Sequence, residues 1–196
     1  MNLLQHLVNC CLMALATCSA LAQDGTFEVV KGEEVIGRIQ VGRTVHGERT
    51  SYSMTSTSAF SIIWMQNVRS SVVTEYVGGR VHAANTTMHV NDEMRDSSRM
   101  LTVDGRALCY VHPKTYFVGN TQNTWTTARM YYEEPKGQTS IFVESALRDC
   151  PLVCTGDGMY SLTLPNKDIN HYQYRNGRLQ QVVADRTWFD LVFRRV

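Results

Sequence analysis

The stretch Thr124-Trp-Thr-Thr-Ala-Arg-Met-Tyr-Tyr-Glu-Glu-Pro135 decides the fold, because it reads as helix while the chain on both sides reads as antiparallel strand. Proline cannot continue a helix, so the segment stops at Pro135. One short helix or helical turn over Thr124 to Tyr132 is expected to lie across, or plug, a large β-meander.

Upstream of it the chain alternates apolar and polar residues as half-buried strands do. The segments are Phe27 to Val30, Glu34 to His46, Arg49 to Thr57, Ala59 to Val77, Arg80 to Val90, Met94 to Val103 and Arg106 to His112. Val35, Ile39, Val41 and Val45 share one face of the second; Tyr52 and Met54 share one face of the third. Ala59 to Val77 is long enough for one bent strand or two, with Phe60, Ile62, Trp64 and Val68 on one side. Gly78-Gly79 and Asp104-Gly105 supply the positive φ that tight hairpins need, and Asn91-Asp92 marks another turn. After Pro113 the pattern breaks.

Downstream, strands resume at Thr139 to Glu144, Met159 to Leu164, Ile169 to Arg175, Arg178 to Asp185 and Thr187 to Val196, with Asn176-Gly177 as a hairpin turn. Their faces are clear. Tyr160, Leu162 and Leu164 line up, as do Tyr172 with Tyr174, and Phe189 with Leu191 and Phe193. Ser161, Thr163, Gln173, Asp190 and Arg194 stand opposite. One face packed and one wet is the antiparallel signature. A sheet of roughly ten or more strands rarely stays open and flat. The expected fold is therefore all-β, a long antiparallel meander curled into a barrel or half-barrel around its own helix or a ligand. A transmembrane barrel needs an apolar outward band on every strand. Here the second face is mostly Ser, Thr, Arg, Asn and His, which argues against one.

The chain of 196 residues has room for one well-cored domain. Its 19 Lys+Arg balance 18 Asp+Glu without a charged block, which excludes the basic stripe of a nucleic-acid binder and a polybasic membrane anchor. Leu7 to Leu21 is apolar and small, and Ala20-Leu21-Ala22 fits a signal-peptidase site before Gln23. The run is short for a transmembrane span, which takes about 20 apolar residues. Residues 1–22 are read as a signal peptide and 23–196 as one periplasmic or secreted β domain, without a transmembrane span. In the alternative, Leu15-Ala16-Thr17-Cys18 is a lipobox and Cys18 carries a lipid anchor.

Cys109, Cys150 and Cys154 lie beyond the leader. An oxidising compartment favours one disulfide. Cys150–Cys154 is the expected pair, provided Pro151 and Thr155-Gly156-Asp157-Gly158 turn the chain; Cys109 with either partner is the alternative. Cys109, His112, Cys150 and Cys154 would suit zinc by type. Residues three apart on a strand diverge, however, so no metal site is expected. The histidines at 46, 82, 89, 112 and 171 stand on separate segments, and no nucleophile elbow, zinc-protease motif or phosphate loop is present. Glu133-Glu134 is read as a helix-end cap or a salt bridge to Arg129. No catalytic residue, cofactor or metal is expected.

Met130-Tyr-Tyr-Glu-Glu-Pro135, Leu162-Thr-Leu-Pro-Asn166, Asn170-His-Tyr-Gln-Tyr-Arg-Asn-Gly177 and the opening Val30-Lys-Gly-Glu-Glu-Val-Ile-Gly37 resemble an uncharacterised family of small secreted bacterial β-meander proteins. More distantly the chain is similar to the half-barrels of periplasmic lipoprotein carriers, in which a helical lid covers an apolar concavity. That likeness implies a fold and no residue roles. The leading functional expectation is non-catalytic binding of an apolar or amphipathic ligand, a lipid or lipidated partner, lined by Tyr160, Leu162, Tyr172, Tyr174, Phe189 and Leu191. Its alternative is a structural or protein-interaction module of the bacterial envelope whose core is self-filled.

Overall fold

The computed structural model of the protein describes residues 21–61, 64–186 and 189–196. Residues 1–20, with most of the expected leader and the Cys18 anchor, and Ile62 lie outside the described residues.

Eight strands follow one another by hairpins: β1 (Leu21–Lys31), β2 (Glu34–His46), β3 (Arg49–Ser61), β4 (Met65–Val77), β5 (Arg80–Val90), β6 (Glu93–Val103), β7 (Arg106–Val111) and β8 (Thr115–Gly119). The chain then crosses the interior through α1 (Thr127–Met130). A second meander follows: β9 (Ser140–Val143), β10 (Arg148–Gly156), β11 (Met159–Thr163), β12 (Ile169–Arg175), β13 (Arg178–Ala184) and β14 (Leu191–Arg195). β14 pairs antiparallel with β1 through Phe27↔Arg195 and Val30↔Val192. The two meanders thus fuse into one 14-stranded sheet running from β8 to β1 and from β14 back to β9.

The turns have the chemistry the sequence announces. Gly78, Gly79, Asp104, Gly105, Asn176 and Gly177 all have positive φ, as do Asn91 and Asp92. These primed turns match the right-handed twist of the strands they join.

Several elements differ from the sequence reading. β1 starts at Leu21 and not at Phe27, because its first residues ladder onto β2 from Leu21↔Val45 onward. β3 runs to Ser61 and β4 begins at Met65, so Ala59 to Val77 is a hairpin and Trp64 belongs to its turn. A register shift between Val29 and Val30 accompanies the change of face in β2, where Val35 is exposed and Ile36 buried. β8 and β10 are strands where turns and irregular chain were expected.

The expected disulfide is corrected by β10. Cys150 and Cys154 sit four residues apart on one extended strand, about 13 Å between α-carbons at strand rise. A disulfide needs less than about 7 Å. Cys109, Cys150 and Cys154 are free thiols, the first two buried and the third exposed. Pro151 does not break the strand because Leu152 N–H still donates to Thr139 O at 2.9 Å. The missing N–H faces away from β9, just before β11 pairing starts at Leu152↔Leu162.

The inner face of the sheet carries two apolar clusters. Phe27, Ile39 and Val41 meet Leu162, Tyr172, Leu179 and Val182 around Met130 and Tyr131. Tyr52, Tyr76, Ala84, Met100 and Cys109 meet Phe142 and Leu147 around Ala128. Phe142 of β9 therefore lies against the inner face of β4 to β7 and does not pair with β8. The sheet rolls past itself as a spiral, and α1 with its flanking chain fills the roll.

Candidate functional site

The centre of the roll is a buried carboxylate. Glu144, just beyond β9, is 1% exposed. Its Oε1 accepts from Thr74 Oγ1 at 3.0 Å and Ala128 N–H at 3.0 Å. Its Oε2 accepts from Thr127 N–H at 3.1 Å and from the Thr127 hydroxyl. A charge out of water is tolerated only when its lone pairs are filled in this way. The same carboxylate satisfies two N–H groups in the first turn of α1, which no helical carbonyl can reach. Thr126 completes the cap: its Oγ1 accepts from Arg129 N–H at 3.3 Å and from Tyr76 Oη–H at 3.0 Å. Ser98 Oγ–H donates to Glu144 O at 2.6 Å. One residue thus ties together β4, β6, β9 and the plug. Sequence reasoning passed over it as the last residue of a strand; its only signal is a lone acid in Ile141-Phe-Val-Glu144.

Tyrosines hold the rest of the plug. Tyr52 Oη–H donates to Glu133 Oε1 at 2.9 Å, Tyr160 Oη–H to Glu134 Oε1 at 2.9 Å, and Tyr174 Oη–H to Met130 O at 2.6 Å. Arg129 spans one helical turn to Glu133 at 2.6 Å, as the sequence spacing leads one to expect, and stacks on Trp125 at 4.2 Å. Burial, and then Glu134, pushes the Tyr160 phenol up to about 12; burial, partly offset by the Asn170 hydrogen bond, does the same for Tyr172. Of the six residues read as a ligand lining, Tyr160, Leu162, Tyr172 and Tyr174 are all buried in the cluster around Met130 and Tyr131. The segment they embrace is the chain's own Met-Tyr-Tyr-Glu-Glu. Leu191 is half-buried against the same cluster.

Phe189 goes elsewhere. With Lys31, Ile36, Phe60, Met65 and Asp190 it lines an open groove of about 630 Å³ at one end of the roll, the mouth. The Phe60 and Phe189 rings meet edge to face at 5.6 Å, and the Lys31 ammonium stands 5.2 and 4.8 Å from their centres. Trp64 and Met65 on the rim are 65% and 56% exposed. A second groove of about 590 Å³ runs between Glu134, Lys136 and β10–β11, where Leu152, Cys154 and Tyr160 face it.

One polar row on the outer face was not foreseen. Ser161 Oγ lies 2.8 Å from His171 Nδ1, and His171 Nε2 lies 3.1 Å from Asp185 Oδ2. The residue types are those of a hydrolytic triad, but they sit in cross-strand register on an exposed sheet, with Ser161 paired to His171. Nucleophilic catalysis needs oxyanion donors and a pocket around the serine. The row as it stands is a surface hydrogen-bond ladder between neighbouring strands. Cys109 points into the core, and its thiol is pushed up by burial.

An antiparallel sheet rolled around its own connecting segment defines a barrel-like all-β protein. The chain belongs to the family described as "Domain of unknown function (DUF6134)", which matches residues 27–196. In fold it is similar to the beta-barrel-like protein of domain of unknown function DUF1849 from Brucella abortus, seen in a crystal structure: TM-score 0.52 at 12% identity, over 88% of this chain and 95% of that one. No curated protein matches the sequence. No helix among the described residues is long and apolar enough to cross a membrane.

Proposed function

We propose that the protein is a non-catalytic binding protein of the periplasm or extracellular space that takes an amphipathic ligand, a lipid or the acyl group of a lipidated partner, at the mouth and not in the aromatic interior. The observation that carries this reading is the pairing of Phe60 and Phe189 under the Lys31 ammonium, in a groove open to solvent. Apolar walls with a few placed polar groups are what small-ligand sites share. The two rings and Met65 offer an acyl chain its apolar contacts, while Lys31 and Asp190 meet a polar head at the rim. The interior cannot serve unless the plug leaves, because Met130 and Tyr131 already occupy it.

Mass spectrometry of an organic extract of gently purified protein, followed by titration of the delipidated protein with a fatty acid, tests the reading. A stoichiometric amphiphile, or saturable uptake weakened by Phe189→Asp, is the expected result. An empty extract with no uptake sinks it. That outcome favours the second reading, an envelope interaction module with a self-filled core, which the tyrosine-bound plug supports.

A further inference from the structure

The two edges of the sheet are treated differently. The β9 edge is covered: Phe142 N–H donates to Trp125 O at 2.9 Å, and Thr126 bridges Phe142 in parallel. Among the described residues β8 pairs with β7 alone, which leaves its outer row of N–H and C=O groups free.

The outer face beside this free edge is apolar in register. Leu101 is opposite Leu108, and Leu108 opposite Val118. Tyr110 is opposite Tyr116, with ring centres 4.9 Å apart. Cross-strand partners share a face. This face is outer, because Leu101, Leu108, Tyr116 and Val118 are 37%, 49%, 75% and 55% exposed while the alternate residue Phe117 packs on the inner cluster. Monomers rarely leave such a ladder open beside a free edge.

We propose that β8 pairs antiparallel with β8 of a second copy of this chain about a two-fold axis at Phe117, joining two rolls through one continuous sheet. This register places Thr115 opposite the partner's Gly119 and Tyr116 opposite the partner's Val118, so the two outer ladders become one apolar strip. The self-pairing is isologous, which a C2 dimer requires. The charges allow it. Lys114 is the one ionic residue in Lys114-Thr-Tyr-Phe-Val-Gly119 and falls opposite Asn120 of the partner, so like charges do not meet. Arg99, opposite Tyr110, and Arg106, opposite Val103, stand on the same outer face but on β6 and β7, away from the β8 seam; at the seam itself a second β8 supplies the matching Tyr and Val.

The test is sedimentation of the full chain across the micromolar range, with reductant so that exposed Cys154 cannot cross-link copies. Val118→Lys and Tyr116→Lys serve as variants, since both side chains point to solvent in the monomer. Hydrogen exchange of residues 115–119 is read at low and high concentration. A reversible dimer is expected, with its dissociation constant raised about tenfold or more by either lysine, and β8 protection that grows with concentration. A monomer throughout, a dimer indifferent to both variants, or β8 exchange that ignores concentration would each overturn the proposal. Ligand uptake at the mouth is independent of this result.

Discussion

Glu144 shows how one side chain can fix a fold that its neighbours only suggest. Its carboxylate answers donors from Thr74, Thr127 and Ala128 at once, and each buried donor left unpaired costs about 1–3 kcal/mol. Glu144→Ala is therefore expected to destabilise the protein by about 3 kcal/mol or more in urea unfolding. Glu144→Gln should cost less, because the amide keeps one acceptor. The exposed Ser161–His171–Asp185 row is the contrast. Ser161→Ala should shift stability by no more than about 0.5 kcal/mol, and a larger loss would show that the row supports packing. The thiols give a third check. In a chain beginning at Leu21, one equivalent should react quickly with a thiol reagent, from exposed Cys154, and all three only after unfolding. Cys150 is held back by burial, which raises its thiol.

The plug is the element on which the rest depends, and its attachments titrate. Tyr160 and Tyr172 are both raised from 10.0 to about 12, so the folded state holds these protons more tightly than the unfolded chain. Their contribution is whole below about pH 10, the unfolded phenol value, and is lost as pH rises through about 12. The melting temperature should fall across that window. Tyr160→Phe should cost about 1 kcal/mol at neutral pH and flatten the alkaline fall, since it removes both the bond to Glu134 and the titrating group. An unchanged alkaline limb would place the weak point elsewhere. Gly158 is the turn that lets Tyr174 close in: its φ is +65°, and an added Cβ would stand 2.6 Å from Tyr174 O. A helical turn was legible within Thr124 to Tyr132, although it spans only Thr127–Met130, and so was the Arg129–Glu133 pair, because both are local. The partners of the aromatic face were not. Alternation shows that Tyr160, Tyr172 and Tyr174 point inward; it does not show that Met130, Glu134 and Tyr131 come back from earlier in the chain to meet them.

At the scale of the whole molecule, the roll is set by a join the chain reaches last. β14 pairs with β1, and the two meanders then overlap around the plug, leaving β9 inside and β8 outside. Edge protection follows from that placement: the inner edge is satisfied by the plug backbone, whereas among the described residues the outer one pairs with β7 alone. The mouth, with Phe60 and Phe189 from opposite meanders, exists because of the same join.

The sequence by itself determined the all-β class, most of the strands and hairpins, and the single helical segment. These follow from period-2 alternation and from Gly and Asn at positive φ, which act within a few residues. Tertiary structure decided the extension of β1, the strands β8 and β10, the free thiols, the Glu144 network and the filling of the roll by its own chain. Each depends on which distant strand lies alongside, and a sheet face is completed by whatever the closed topology brings against it.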